Sequence, residues 1–107
     1  MSERISFFLK KLEENPHNLL NKFSLSQAYF ESGAYAEAIP YLESCVEGRN
    51  DWMMAYLLLG KSYIANDQVK LAVKPLECTI KLALEQNHED PEIEARNLLS
   101  EISNSSA

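Results

Sequence analysis

Residues 33–45 read GAYAEAIPYLESC, and residues 67–79 read DQVKLAVKPLECT. The second stretch starts thirty-four positions after the first (33 to 67), and the two share a skeleton. Ala38 falls on Ala72, Leu42 on Leu76 and Glu43 on Glu77. Similar pairs fill the spaces between: Tyr35 with Val69, Ile39 with Val73, Val46 with Ile80. The overlay continues upstream, with Leu25 on Leu59, Tyr29 on Tyr63, Ser26 on Gly60 and Phe30 on Ile64. Ile5, Phe8 and Leu12 fall in turn on Ile39, Leu42 and Val46. A fixed period of this length marks a chain built from repeated supersecondary units.

Each unit reads as helices. Ile5, Phe8, Leu9 and Leu12 follow the i, i+3, i+4, i+7 spacing of one helix face. ENPHN stops that helix, because Pro16 disfavours a helical residue before it. A second helix is expected from about Asn18 to Ser32, ended by Gly33, which supplies a left-handed cap at little cost. A third covers roughly 35–47, and a fourth begins near Asp51 as N-cap. A fifth covers roughly 68–85. A sixth opens with Asp90 as N-cap and Pro91 at the first helical position, and carries Ala95, Leu98, Leu99 and Ile102 on one face. No segment shows the period-two alternation of a strand.

The third and fifth helices each contain a proline. With Ala38, Ile39, Leu42 and Val46 inward, Pro40 lies outward, where water can reach the Ala36 carbonyl that loses its donor. A gentle outward bend is expected there and another near Pro75. The fifth helix has a second apolar stripe, Leu71, Pro75, Cys78 and Leu82, which the terminal helix is expected to cover in part.

The totals narrow the function classes. A chain of 107 residues supports one domain with one modest core. A net charge of −6 disfavours nucleic acid, since an acidic surface gains nothing from phosphate counterion release. The longest apolar run, roughly 52–59, is far short of the ~18 residues of a membrane span, so no membrane partner is expected. The first residues lack the long apolar core and small-residue cleavage site of a signal peptide. Cys45 and Cys78 have neither CxxC spacing nor histidine partners, which suits a reduced, cytoplasmic protein.

Tyr56-x2-Leu59-Gly60-x2-Tyr63 followed by Ala72-x3-Leu76 resembles the tetratricopeptide repeat family, in the manner of its small bacterial-type members. Tyr56 stands where that family often has Trp. The first copy reads Lys22-x2-Leu25-Ser26-x2-Tyr29, then Gly33-x-Tyr35, then Ala38-x3-Leu42; Lys22 departs from the large aromatic. Pro16 suits the family's repeat-closing proline, whereas Asn50 and Leu84 depart from it. The resemblance covers about residues 3–86. It implies an all-α fold, a right-handed superhelical stack of antiparallel hairpins with about six helices. The whole of 1–107 is then one domain: an N-terminal helix in 1–16, a first repeat in 19–52, a second in 53–86 and a capping helix in 90–103.

No catalytic set is visible. His17 and His88 are isolated in loops, and the acids at 90, 92 and 94 suit a helix N-terminus electrostatically. Neither a phosphate loop nor a metal-ligand spacing occurs, so neither enzyme activity nor a cofactor is expected. What remains is a surface. In the family, the first helices of successive hairpins line a concave groove. Helical spacing puts Leu20, Phe23, Ser24, Gln27 and Phe30 there from one helix, and Met54, Leu57, Leu58, Lys61 and Ile64 from the other. Some family members clamp acidic peptide tails with Lys, Asn and Arg; the matching positions here are Phe23, Gln27 and Leu58, with Lys61 the only cation. The groove therefore suits an apolar or amphipathic segment of another protein, for an adaptor, scaffold or chaperone-like role. Two alternatives stay open: two copies closing their grooves on each other as a homodimer, and the terminal helix filling that side.

Overall fold

The structure, a computed structural model, describes residues 2–105, with the side chains of 2–104. Six helices follow one another: α1 (Glu3–Glu14), α2 (Leu19–Glu31), α3 (Tyr35–Gly48), α4 (Met53–Ala65), α5 (Val69–Gln86) and α6 (Glu89–Ser105). No strand occurs among the described residues. Each helix packs on the next, and α2 also touches α4 as α4 touches α6. The result is an elongated stack, 43 × 28 × 20 Å, with α2, α4 and α6 in one layer and α1, α3 and α5 in the other.

The repeat is visible in the backbone hydrogen bonds. After α2, Gly33 sits at φ 83°; its N–H donates to the Phe30 carbonyl (3.0 Å), and the Ala34 N–H donates to that of Tyr29 (2.8 Å). Thirty-four residues on, Asp67 sits at φ 60°; its N–H donates to the Ile64 carbonyl (3.1 Å), and the Gln68 N–H to that of Tyr63 (2.8 Å). Both turns are the paired closure that satisfies the last carbonyls of a helix and turns the chain through a left-handed residue. Glycine takes that conformation freely; aspartate is one of the few other residues that tolerates it.

Two starts differ from the sequence reading. Trp52, not Asp51, is the N-cap of α4 and offers no side-chain bond; the Asp51 carbonyl instead accepts from the Met53 N–H and from Gln86 Nε2. Helix α6 starts at Glu89, so Asp90 and Pro91 lie inside its first turn. Proline is harmless there because first-turn N–H groups have no intrahelical partner. Glu89, Asp90 and Glu92 also oppose the positive end of the helix dipole.

Both internal prolines sit in uninterrupted helices. Each orphans a carbonyl at an exposed residue, Ala36 for Pro40 and Leu71 for Pro75, so water can replace the lost donor. Beyond Pro75 the Thr79 hydroxyl donates back to the Pro75 carbonyl at 2.9 Å.

The main core joins α3, α4, α5 and α6 through Ala38, Leu42, Leu57, Leu59, Ala72, Leu76 and Ala95. A second centre of Ile5, Leu25 and Ala28 ties α1 to α2, and Tyr29 packs against both. Small residues set the spacing: Gly60 faces Leu76, and the wholly buried Ser26 occupies the matching place one repeat earlier, its hydroxyl donating to the Phe23 carbonyl at 2.6 Å.

Ser62 falls thirty-four residues after Ala28 and is also wholly buried, but its hydroxyl has no hydrogen-bond partner. A buried hydroxyl without a partner costs about 1–3 kcal/mol. Ser62→Ala should therefore stabilise the fold by about 1 kcal/mol, raising the melting temperature by roughly 4–8 °C for a domain of this size. A calorimetric melt that is unchanged or lower contradicts the assignment.

Candidate functional site

The layer of α2, α4 and α6 brings together side chains far apart in sequence. Phe23 of α2 lies against Trp52 at the head of α4, ring centroids 4.8 Å apart. Lys61 of α4 stands over the Phe30 ring, 5.8 Å from its centroid, within cation–π range. The same ammonium pairs with the Glu94 carboxylate of α6 at 2.9 Å. Phe30, Lys61 and Glu94 thus mark one face across three helices. Leu20 and Met54 open that face to water, 65% and 45% exposed.

The sequence-derived set divides accordingly. Leu20, Phe23, Gln27, Phe30, Met54, Leu58, Lys61 and Ile64 keep some exposure, though Phe23, Leu58 and Ile64 also pack against the main core. Leu57 does not belong with them. It is 2% exposed and part of that core, so it cannot contact a ligand in the folded chain. The cause is the position of α4, which touches α2, α3, α5 and α6 and has little wet surface left. Trp52 and Glu94 join the face without having been singled out. The signal for Trp52 was its place at the start of the apolar run; nothing in the sequence pointed Glu94 toward Lys61.

The terminal helix lies elsewhere than expected. Ala95, Leu98, Leu99 and Ile102 pack into the core beside Ile80, while Leu71 and Cys78 border an open depression. Helix α6 follows the rule of the stack: it takes the place the first helix of a further hairpin would take, against α5 and α4.

Across the other layer, Tyr63 of α4 donates its hydroxyl to Glu43 Oε2 of α3 at 2.6 Å. Burial, then the bond and charge of Glu43, push the Tyr63 phenol up to about 12. An unfolded tyrosine ionises near pH 10. The native state therefore holds this proton more tightly, and the associated stability is complete below about pH 10 and lost as pH rises toward about 12. Melting temperatures across that window should fall less steeply for Tyr63→Phe than for the parent; identical slopes would show that the clasp contributes nothing.

The cysteines differ in surroundings. Cys45 is wholly buried, its thiol donating to the Leu19 carbonyl at 3.6 Å, and burial pushes it up to about 11. Cys78 is half-buried. Among the described residues, no group of three or more His, Cys, Asp or Glu side chains is placed to hold a metal ion, and no helix is long and apolar enough to cross a membrane.

No protein-family model and no curated protein matches the sequence. Solved structures do match the fold. The first TPR of Spaghetti (RPAP3), bound to the HSP90 peptide SRMEEVD, superposes with a TM-score of 0.80 at 23% identity, over 94% of this chain and 75% of that one. The solution structure of BPP2914 from Bordetella parapertussis gives 0.83 at 20% identity, over 100% and 93%. A double mutant of MamA RS-1 gives 0.71 at 18%, over 95% and 65%. The fold is thus that of tetratricopeptide proteins: an all-α stack of antiparallel hairpins with the right-handed superhelical sense of such solenoids.

Proposed function

We propose that this chain is a protein-interaction module, without enzymatic activity, whose concave face takes an apolar or amphipathic segment of another protein. The carrying observation is that Leu20 and Met54, thirty-four residues apart at matching positions of α2 and α4, are both exposed large apolar side chains, while Phe23 of α2 meets Trp52 at the head of α4. Exposed apolar groups repeated on one layer of a stack suit a contact surface. Phe23, Phe30 and Leu58 extend the surface, and Gln27 with Lys61 orients the segment. The Lys61–Glu94 pair is half-exposed and its loss costs little, so Lys61 can exchange partners.

The neighbour from Spaghetti holds an acidic peptide. Here the clamp-matching positions are Phe23, Gln27 and Leu58, and Lys61 already has a carboxylate. The SRMEEVD peptide should accordingly give no saturable heat of binding with this chain.

The direct test is Leu20→Glu/Met54→Glu. Both positions are exposed, so the double variant should melt within about 1 kcal/mol of the parent. It should lose the proteins that the parent captures from native lysate. Retention of the same partners overturns the concave-face reading. Self-association through this face is the second reading, and light scattering after size exclusion separates the two. A concentration-independent dimer that the double variant converts to monomer favours it.

A further inference from the structure

The outer layer carries a second surface. No Cα atom of α3 comes within 8 Å of one in α5, because each helix packs on α4 instead. Between them lies an open depression of about 500 Å³. Leu59 and Tyr63 of α4 form its floor, and Val46 of α3 with Leu71 and Cys78 of α5 form its walls. By helical spacing, Leu59 and Tyr63 stand on the far side of α4 from Met54, Leu58 and Lys61, so this groove is separate from the concave face. Leu71 is 53% exposed on its rim.

The rim is cationic. Lys70 and Lys74, one turn apart on α5, line the depression, are exposed, and form no salt bridge among the described residues. The chain as a whole carries sixteen acidic side chains and a net charge of −6. Glu43, the carboxylate near the floor, accepts from the Tyr63 hydroxyl and forms no salt bridge with either lysine. An apolar trough with two uncompensated ammonium groups on one lip is complementary to a ligand with an apolar face and acids along one edge.

We propose that this outer groove docks a short acidic amphipathic segment of a partner protein. Its apolar side chains rest on Leu59, Tyr63 and Leu71, and its carboxylates meet Lys70 and Lys74. The site is independent of the concave face, so one module could hold two segments at once.

The test is an amide-correlation NMR titration of the full chain with a synthetic amphipathic peptide of leucine and glutamate, and with its leucine–glutamine counterpart. Shifts should concentrate at Val46, Leu59, Tyr63, Leu71 and Cys78. The glutamate peptide should bind at least about tenfold more tightly, with affinity falling as salt rises. Lys70→Glu/Lys74→Glu should weaken it by about tenfold or more while melting like the parent. A bulky maleimide, which reaches Cys78 but not the buried Cys45, should block it. Leu20→Glu/Met54→Glu should leave it intact, which separates this site from the concave one. Equal affinity for both peptides, an unaffected lysine variant, shifts centred on Leu20 and Met54, a groove closed by a second copy, or no saturable binding would each overturn the proposal.

Discussion

Leu57→Glu unfolds the protein, or brings it close to unfolding at room temperature. Leu57 is 2% exposed within the core shared by α3, α4, α5 and α6. Its replacement forfeits a buried leucine, worth about 2–5 kcal/mol in comparable cores. It also forces a carboxylate into an apolar core, where Lys61, one turn on, is already paired with Glu94. The carboxyl stays protonated at a cost or drags water in, adding about 1–3 kcal/mol or more. Domains of this size have only about 5–15 kcal/mol in total. Urea titration followed by circular dichroism should show the midpoint collapse. A loss below about 1 kcal/mol would place Leu57 on the surface, where helical spacing alone had put it.

Gly60→Val is the second large effect, and its cause is steric. A Cβ at Gly60 would sit 2.6 Å from Leu76 Cδ2 and 2.7 Å from Leu76 Cγ. Leu76 is wholly buried, so it has nowhere to retreat without separating α4 from α5. Overpacking of this kind costs about 1–3 kcal/mol, and a β-branched side chain adds crowding against its own helix. The helix-propensity gain from losing a glycine is about 1 kcal/mol at most and does not offset it. Thermal melts should show a loss of about 1–3 kcal/mol; a variant as stable as the parent would mean that α4 and α5 are not so closely packed.

These two residues show where sequence reasoning succeeds and where it stops. The thirty-four-residue overlay located the hairpins because Leu25/Leu59, Tyr29/Tyr63, Ala38/Ala72 and Leu42/Leu76 must recur for one unit to nest on the next. Gly60 was legible for the same reason: a small residue facing Leu76 is a packing requirement of the repeat. Leu57 was not. Helix α4 is apolar nearly all round, so its periodicity cannot say which apolar residue lies under the surface and which lies on it. One helical step separates buried Leu57 from half-buried Leu58, and only the four neighbouring helices decide between them. The Lys61–Glu94 pair was hidden because it depends on the docking of α6, whose acids already had a reason to sit near a helix start. The stripe of Leu71, Pro75, Cys78 and Leu82 was misread because covering it looked like the task of the last helix, whereas the stack geometry sets that helix against another face of α5, beside α4.

The central claim is that α2 and α4 lie side by side as the inner layer, with Phe23 meeting Trp52 across their junction. A nuclear Overhauser spectrum of the labelled chain tests it most directly. Strong cross-peaks are expected between the Phe23 ring and the Trp52 indole, whose centroids are 4.8 Å apart. An indole whose cross-peaks run to α5 or α6, with none to Phe23, would contradict it.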